Sequence, residues 1–355
     1  MYDIIIVGGG PAGSTLARLL KKDYNILLLE KRNFLGDGSN INKCCGGLLA
    51  PDAQLMLAKF GLGIPKSVLL SPQLFAVRVI DLDNKLERYY QRHYINVDRG
   101  KFDKWLLNMA DNNVQIMNES IYKGHEEKED HVVVKFNRKG EIFNEKTRLL
   151  IGADGAFSKV RRQSFNLHSK PELYIAVQEW FKDHNDKKYF GAIFDKEITD
   201  FYFWTIPKEN YLILGGALKP NKNVNEKFQK LKSKLGEYGY NLEESIKKSG
   251  GYLYRTVNRK QICLGNKNVA LVGEAAGFIS PSSAEGISYA FRSSLALSKA
   301  LKKGTDGYQK DYQNNLKSLM LNITRKNLKC PAMYNKYLRK LVMKSGISSV
   351  KPELN

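Results

Sequence analysis

The chain has 355 residues, of which 43% are hydrophobic and 26% charged, as in ordinary globular proteins. This composition excludes disordered, collagen-like and coiled-coil chains, and four cysteines are too few for a disulfide scaffold. The 57 Lys and Arg against 36 Asp and Glu give a formal net charge of +21. No apolar run approaches the ~20 residues that span a bilayer, and the first residues do not resemble a signal peptide. We therefore expect a cytoplasmic protein.

A β-α-β unit opens the chain. Residues 3–7 form a short apolar run typical of a strand that is buried on both faces. A glycine cluster follows, then a predicted helix over 14–20 and a second buried strand over 24–29, which ends at Glu30. The remaining predictions, in chain order, are a loop over 33–52, a helix over 51–60, strands over 75–80 and 87–97, a helix over 99–111, strands at 132–134, 148–151, 174–181, 189–194, 200–206 and 211–218, helices over 222–249, a strand at 269–272, and helices over 284–303 and 305–355.

The glycine cluster after the first strand fits the dinucleotide-binding pattern G-x-G-x-x-G. Gly8 permits the tight turn, Gly10 lets a pyrophosphate approach the backbone, and Gly13 lets the helix pack on the strand. Pro11 and Ala12 complete the motif, and the helix N-terminus attracts phosphate. Glu30, at the end of the second strand, is placed to accept hydrogen bonds from ribose hydroxyls, with Lys31 beside it.

Two later segments resemble motifs of the FAD-dependent hydroxylase superfamily. Asp154 and Gly155 match its "DG" motif, and the run from Gly273 to Gly277, with Pro281, Gly286 and Ile287, matches its "GD…P…GxGI" motif. The resemblance implies FAD as cofactor and a p-hydroxybenzoate-hydroxylase type of α/β fold. It also implies that the second motif, including Ala276, follows the ribityl chain and directs a helix N-terminus at the flavin. The usual Asp is Glu274 here. Arg99 matches a family arginine near the cofactor, although a solvated arginine at a helix start is the alternative.

A further resemblance concerns the substrate. The run from Lys43 to Gly47 resembles the K-x-C-G-G segment of the geranylgeranyl reductase family, and the run from Tyr202 to Pro207 resembles its Y-x-W-x-F-P motif. This resemblance implies reduction of C=C bonds in an isoprenoid-type lipid. Cys45, with Gly46 beside it, is then a candidate proton donor next to the flavin, and Tyr202 and Trp204 are candidate walls for a prenyl chain. A small buried cysteine and an ordinary sheet core are the alternatives.

The discontinuous domains follow from these motifs. We predict an FAD-binding Rossmann-like domain of glutathione reductase type over 1–72, 98–170 and 263–304, and an interlaced mixed-sheet substrate domain over 73–97 and 171–262. A basic helical segment over 305–355 closes the chain. There is no second G-x-G-x-x-G, so the external electron donor remains open between NAD(P)H and a ferredoxin-like protein.

The partners are predicted from charge and motif. Scattered histidines predict no metal site, and the lack of any nucleic-acid-binding signature predicts no nucleic acid partner. From Tyr312 to Pro352 there are nine Lys or Arg and no Asp or Glu. Apolar residues at 316, 319, 320 and 323 predict one apolar helix face there, which either packs on the protein body or lies peripherally on the inner face of a membrane.

Three functions are compatible with these motifs. The first is a flavin-dependent reductase of isoprenoid C=C bonds. The second is a monooxygenase or halogenase of the same fold, since Trp204 to Pro207 also matches the W-x-I-P of flavin halogenases. The third is a flavoprotein with a binding or envelope-stress role. The two geranylgeranyl reductase segments favour the first.

Overall fold

The computed structural model describes residues 1–34, 44–110, 114–165, 169–182, 188–220 and 223–351. Lys43 of the cysteine-glycine segment therefore lies outside the described residues. The strands, in chain order, are β1 (Tyr2–Val7), β2 (Ile26–Leu29), β3 (Leu48–Leu49), β4 (Leu74–Asp81), β5 (Leu86–Asn96), β6 (Val114–Met117), β7 (Ser120–Glu127), β8 (Val132–Arg138), β9 (Glu141–Gly152), β10 (Glu172–Lys182), β11 (Phe190–Phe194), β12 (Phe203–Lys208), β13 (Tyr211–Leu218), β14 (Ser245–Arg255), β15 (Val269–Leu271) and β16 (Ser349–Val350).

The helices connect and cover these strands. They are α1 (Pro11–Leu20), α2 (Pro51–Lys59), α3 (Arg99–Asn108), α4 (Lys159–Ser164), α5 (Val224–Gly236), α6 (Ile287–Ala300), α7 (Tyr308–Asn315), α8 (Lys317–Tyr334) and α9 (Lys336–Ser345), with 3₁₀ turns at Lys66–Val68, Arg259–Gln261, Gly273–Ala276 and Leu301–Lys303.

Two sheets organise the chain. The first has the order β6-β2-β1-β9-β8-β7, with β15 beside β9, and its central strands β2, β1 and β9 are parallel. The second is mixed, with the order β14-β10-β13-β12-β11-β4-β5-β16, and β3 pairs with β5. The predicted α/β fold with a Rossmann-like domain and a mixed sheet is confirmed.

The glycine motif lies where β1 meets α1. Ile4, Ile5 and Ile6 of β1 are fully buried, as expected for a central strand of a parallel sheet. Helices α1 and α6 pack against each other, and the Ser294 hydroxyl of α6 donates to the Ala12 carbonyl of α1 at 2.8 Å. This contact brings the start of the chain and the last predicted motif together.

One predicted segment is wrong. Residues 222–249 were expected to be helical, but α5 ends at Gly236, and β14 begins at Ser245 and pairs antiparallel with β10. Only Tyr254 and Arg255 of β14 are buried, and the strand lacks the apolar alternation that marks a strand in sequence. Pairing with β10 satisfies its backbone and decides its structure. Strands β6 and β7, between Val114 and Glu127, were also not predicted.

The C-terminal segment packs on the body through the apolar face predicted for it. Leu316, Leu319 and Ile323 are buried against the first sheet's core, and Met320 is partly buried there. In the ranges that the structure describes, no helix is long and apolar enough to cross a membrane.

Candidate functional site

A cavity of about 1510 Å³ is lined by residues of both sheets and of the C-terminal helices. It collects most of the residues singled out in the sequence. They are Gly8, Gly10, Pro11, Ala12, Glu30, Lys31, Cys45, Gly46, Arg99, Asp154, Gly155, Tyr202, Trp204, Glu274, Gly286 and Ile287.

Other motif residues lie behind the cavity wall. A Cβ on Gly13 would lie 1.9 Å from the Gly8 carbonyl oxygen, and a Cβ on Gly273 would lie 2.9 Å from the Ala12 Cβ. Both glycines therefore permit close packing. Ala276, Gly277 and Pro281 also lie away from the lining.

Three glycines leave open space at the cavity. A Cβ added to Gly10 or Gly155 would meet no atom of the described chain within 4 Å, and one on Gly286 would only just reach Ile279, at 4.0 Å. Gly10 and Gly286 are also the N-caps of α1 and α6, so two helix N-termini are directed at this space. Free N–H groups, a positive dipole end and room above the backbone suit a pyrophosphate and an electron-rich ring. These residues fit a dinucleotide cofactor.

Glu30 braces the glycine turn. Its Oε2 accepts from the Gly9 N–H at 2.7 Å, and Arg32 donates to both carboxylate oxygens through its backbone and guanidinium. Burial alone would raise the pKa of Glu30, but the bonds from Arg32 and Gly9 lower it. The roughly four lone-pair positions of the carboxylate are thereby used. A ribose hydroxyl at Glu30 would have to displace one Arg32 bond.

The acidic residues of the two later motifs also accept hydrogen bonds from backbone N–H groups. Asp154 accepts from the Ser158 hydroxyl and from the backbone N–H of Lys159 at 2.7 Å, at the start of α4, while burial raises its pKa. Glu274 accepts from the backbone N–H of Tyr254 at 3.0 Å. The Arg161 guanidinium donates to the Ala275 carbonyl at 3.3 Å and so joins the two motifs.

A polar chain joins the glycine turn to Cys45. Asp103, fully buried, accepts from Arg32 at 2.8 Å and from Arg99 at 2.7 Å. Arg99 then donates to the Cys45 sulfur at 2.9 Å, and the Gly47 N–H donates to the same sulfur at 3.5 Å. Burial alone would lower the pKa of Arg99, but Asp103 and Cys45 raise it, so the guanidinium stays charged. Two donors, one of them cationic, stabilise negative charge on the Cys45 sulfur.

The neighbouring cysteine is in a different environment. Cys44 lies beside the second sheet, where its thiol approaches the Ala176 carbonyl at 3.6 Å. Burial raises the pKa of Cys44 to about 11. Cys44 therefore remains a neutral thiol near pH 7.

Lys208 forms hydrogen bonds to the backbone of the loop that carries Cys45. It is buried at the end of β12, and its Nζ donates to the carbonyls of Val97 and Gly47, at 2.8 and 3.2 Å, and to the Asn96 side chain. Burial away from water lowers its pKa to about 7. No pattern in the sequence indicates this residue, because a lone lysine after Pro207 is normally expected to be solvated.

The aromatic strand β12 forms one wall of the cavity. Tyr202, just before it, and Trp204 on it are nearly buried, their rings 5.6 Å apart, while Phe203 packs on the other side of the sheet. The predicted common face of Tyr202 and Trp204 is confirmed. The Tyr202 hydroxyl donates to the Ser283 carbonyl at 2.7 Å, and burial raises its pKa.

Several lining residues carry no signal in the sequence. Arg32 follows Lys31 directly and had no distinguishing signal. The C-terminal helices contribute lining residues as well, including Lys326, Lys329, Met333, Arg339, Val342 and Met343. Among the described residues, no group of three or more His, Cys, Asp or Glu is placed to hold a metal ion.

Known proteins share this fold and sequence. A family model described as an NAD(P)-binding Rossmann-like domain matches residues 6–43. A geranylgeranyl bacteriochlorophyll reductase-like protein from Thermoplasma acidophilum superposes with a TM-score of 0.81 at 22% identity, covering 98% of this chain and 91% of that one. A probable FAD-dependent monooxygenase from Pseudomonas aeruginosa, PqsL, superposes with a TM-score of 0.70 at 16% identity, covering 97% and 99%. The fold is therefore that of FAD-dependent oxidoreductases.

A curated bacterial protein is similar to nearly the whole chain. Protein CbrA of Escherichia coli O9:H4 (strain HS) is 36% identical over 353 residues, which are 99% of this chain and 95% of that protein. The match includes both the glycine motif and the cysteine-glycine segment, since it extends along nearly the whole chain. This chain therefore belongs to the CbrA family.

Proposed function

We propose that this protein is an FAD-dependent reductase of C=C bonds in an isoprenoid-type lipid. The observation that carries the proposal is that one cavity joins a dinucleotide cradle to an aromatic wall, with Cys45 among its lining residues. A cofactor and a long apolar substrate could then meet in one cavity, as hydride transfer requires.

Residues of this chain suit each end of that reaction. Gly10 and the N-terminus of α1 would hold the pyrophosphate, and Gly155 and Gly286 leave room along the cofactor. When bound, reduced FAD supplies a hydride to carbon. Tyr202 and Trp204 offer flat apolar surface that orients a prenyl chain and excludes water.

The second hydrogen arrives as a proton, and Cys45 is the residue we assign to it. A thiol that gives its proton to the other alkene carbon becomes a thiolate, which the Arg99 guanidinium and the Gly47 N–H stabilise. Tyr202 is less suited to this role, because burial raises its pKa and its hydrogen is donated to Ser283.

The test is anaerobic and independent of the natural electron donor, whether NAD(P)H or a ferredoxin-like protein. The purified flavoprotein is reduced with dithionite under nitrogen and mixed with a polyprenyl phosphate. The proposal predicts reoxidation of the flavin and a product that carries two additional hydrogens. Reoxidation only after air enters, with an oxygenated product, would instead support the monooxygenase alternative, and with bromide present a brominated product would support the halogenase. No reaction under either condition would favour a binding role.

A further inference from the structure

Helix α9 presents its apolar side chains outward. Tyr337, Leu338, Leu341 and Val342 are 67%, 44%, 66% and 46% exposed. Their spacing places them on one face of the helix, which we call the apolar stripe. A helix that is amphipathic only for core packing would direct this face at the protein.

The orientation of α9 is fixed by its opposite face. Arg339 and Met343, four residues apart, are buried toward the second sheet. The Arg339 guanidinium donates to Asp81 at 2.8 Å and to Asp83 at 2.6 Å, at the end of β4. The helix therefore cannot rotate its apolar stripe inward without breaking a buried ion pair.

The charges around the stripe select its partner. Lys336, Lys340 and Lys344 lie on the same helix, and from Tyr312 to Pro352 the chain has nine Lys or Arg and no Asp or Glu. Pairing two copies through this surface would oppose like charges. An apolar stripe flanked by lysines matches an anionic lipid interface, where the stripe enters the acyl boundary and the lysines meet headgroups.

The stripe also reaches the cavity. Val342 belongs to the stripe and lines the cavity, together with Met343, Ser348 and the exposed Lys329 of α8. Ile347, just after the helix, is 71% exposed, which extends the apolar surface beside this opening. A lipid held at this surface would meet the cavity through apolar contacts.

We propose that α9, with Ile347, docks this protein on an anionic lipid bilayer, with the helix lying in the plane of the interface. The stripe and its lysines supply the binding, and the cavity opening faces the bilayer. This docking surface consists of exposed apolar and basic side chains of α9, and its binding to lipid does not depend on the proposed reductase activity.

The test is flotation of the full-length protein with lipid vesicles. Vesicles of phosphatidylcholine alone are compared with vesicles containing about one third phosphatidylglycerol, and we expect about tenfold stronger binding to the anionic ones. The double variant Leu338→Gln/Leu341→Gln should bind the anionic vesicles about tenfold more weakly. Lys340→Gln/Lys344→Gln should lose a similar factor and most of the salt sensitivity.

A matched control separates docking from general surface hydrophobicity. Ile142→Gln/Ile246→Gln removes side chains of similar exposure, 50% and 47%, elsewhere on the surface and should change binding by less than about twofold. Melting temperature confirms that each variant folds. Equal binding of all variants would overturn the proposal, as would a dimer in solution that the leucine variant converts to monomer. No turnover is measured, so failure of the reductase proposal does not affect this result.

Discussion

The guanidinium of Arg99 donates a hydrogen bond to the sulfur of Cys45 across 54 residues of sequence, at 2.9 Å. Asp103 holds the guanidinium in place and is itself bonded to Arg32 beside the glycine turn. The cysteine at the centre of the proposed chemistry is therefore connected to the dinucleotide end of the cavity through buried charges.

This pair predicts selective alkylation of Cys45. Near neutral pH, iodoacetamide should modify the Cys44→Ser variant much faster than the Cys45→Ser variant, because burial raises the pKa of Cys44 to about 11. The Arg99→Met substitution removes the cationic donor and should slow alkylation of Cys45 about tenfold, while Arg99→Lys should retain part of the rate. Mass spectrometry of timed samples gives the rates. An unchanged rate in Arg99→Met would contradict this role.

The assignment of the proton donor predicts a contrast in turnover. Cys45→Ala should lower the single-turnover rate by about a hundredfold, because alanine cannot supply the proton that we assign to the thiol. Tyr202→Phe loses the bond to Ser283, at a cost of about 1 kcal/mol of stability, and should lower the rate by less than about fivefold. Stopped-flow absorbance of the flavin measures both. The reverse order of effects would assign the proton to Tyr202.

Two substitutions in the glycine turn should affect cofactor binding and folding separately. Gly10→Ala places its methyl in open space and should weaken FAD binding about tenfold without changing the melting temperature of the apoprotein. Gly13→Ala meets the Gly8 carbonyl at 1.9 Å and should destabilise the fold by about 2 kcal/mol. Isothermal titration and denaturant unfolding distinguish them. If Gly10→Ala bound FAD normally, no pyrophosphate would lie there.

Lys208 predicts a pH dependence of stability. Its pKa falls from 10.5 to about 7 in the folded protein, so between these values the unfolded chain binds a proton that the folded chain does not. The free energy of unfolding should therefore gain roughly 2 kcal/mol from this residue between about pH 7 and about pH 9. Urea unfolding of Lys208→Met should show a correspondingly smaller slope. Parallel slopes for both proteins would contradict the lowered pKa.

Substitutions of two neighbouring cations of α9, Arg339 and Lys340, should have very different effects on stability. Arg339→Gln leaves the buried Asp81 carboxylate without its partner and should cost about 3 kcal/mol of unfolding free energy. Lys340→Gln, one residue on and exposed, should change stability by less than about 0.5 kcal/mol. Denaturant unfolding measures both. Equal effects would mean that the ion pair does not hold α9 on the body.

The cradle of the cofactor could be predicted because its signals are local. Gly8 and Gly13 each meet a steric need that only glycine satisfies, and the strand before them is continuously apolar from Ile4 to Val7. The apolar faces of β12 and α8 were likewise visible as periodicity in sequence. Local geometry and periodicity depend only on residues that are close in sequence.

The rest depends on contacts between distant residues. Strand β14 buries only two of its residues and becomes a strand because it pairs with β10. The pairing of Arg99 with Cys45 and the burial of Lys208 depend on how the two sheets meet, which no local pattern encodes. The outward stripe of α9 was also missed, since its periodicity alone does not say which face the protein covers.

The most direct test of the central claim is the stoichiometry of a single anaerobic turnover. Reduced holoprotein is mixed with excess polyprenyl phosphate, quenched, and analysed for saturated product and for oxidised flavin. We expect one product molecule, heavier by two hydrogens, for each flavin oxidised. Flavin that stays reduced, or that is oxidised without a saturated product, would contradict it.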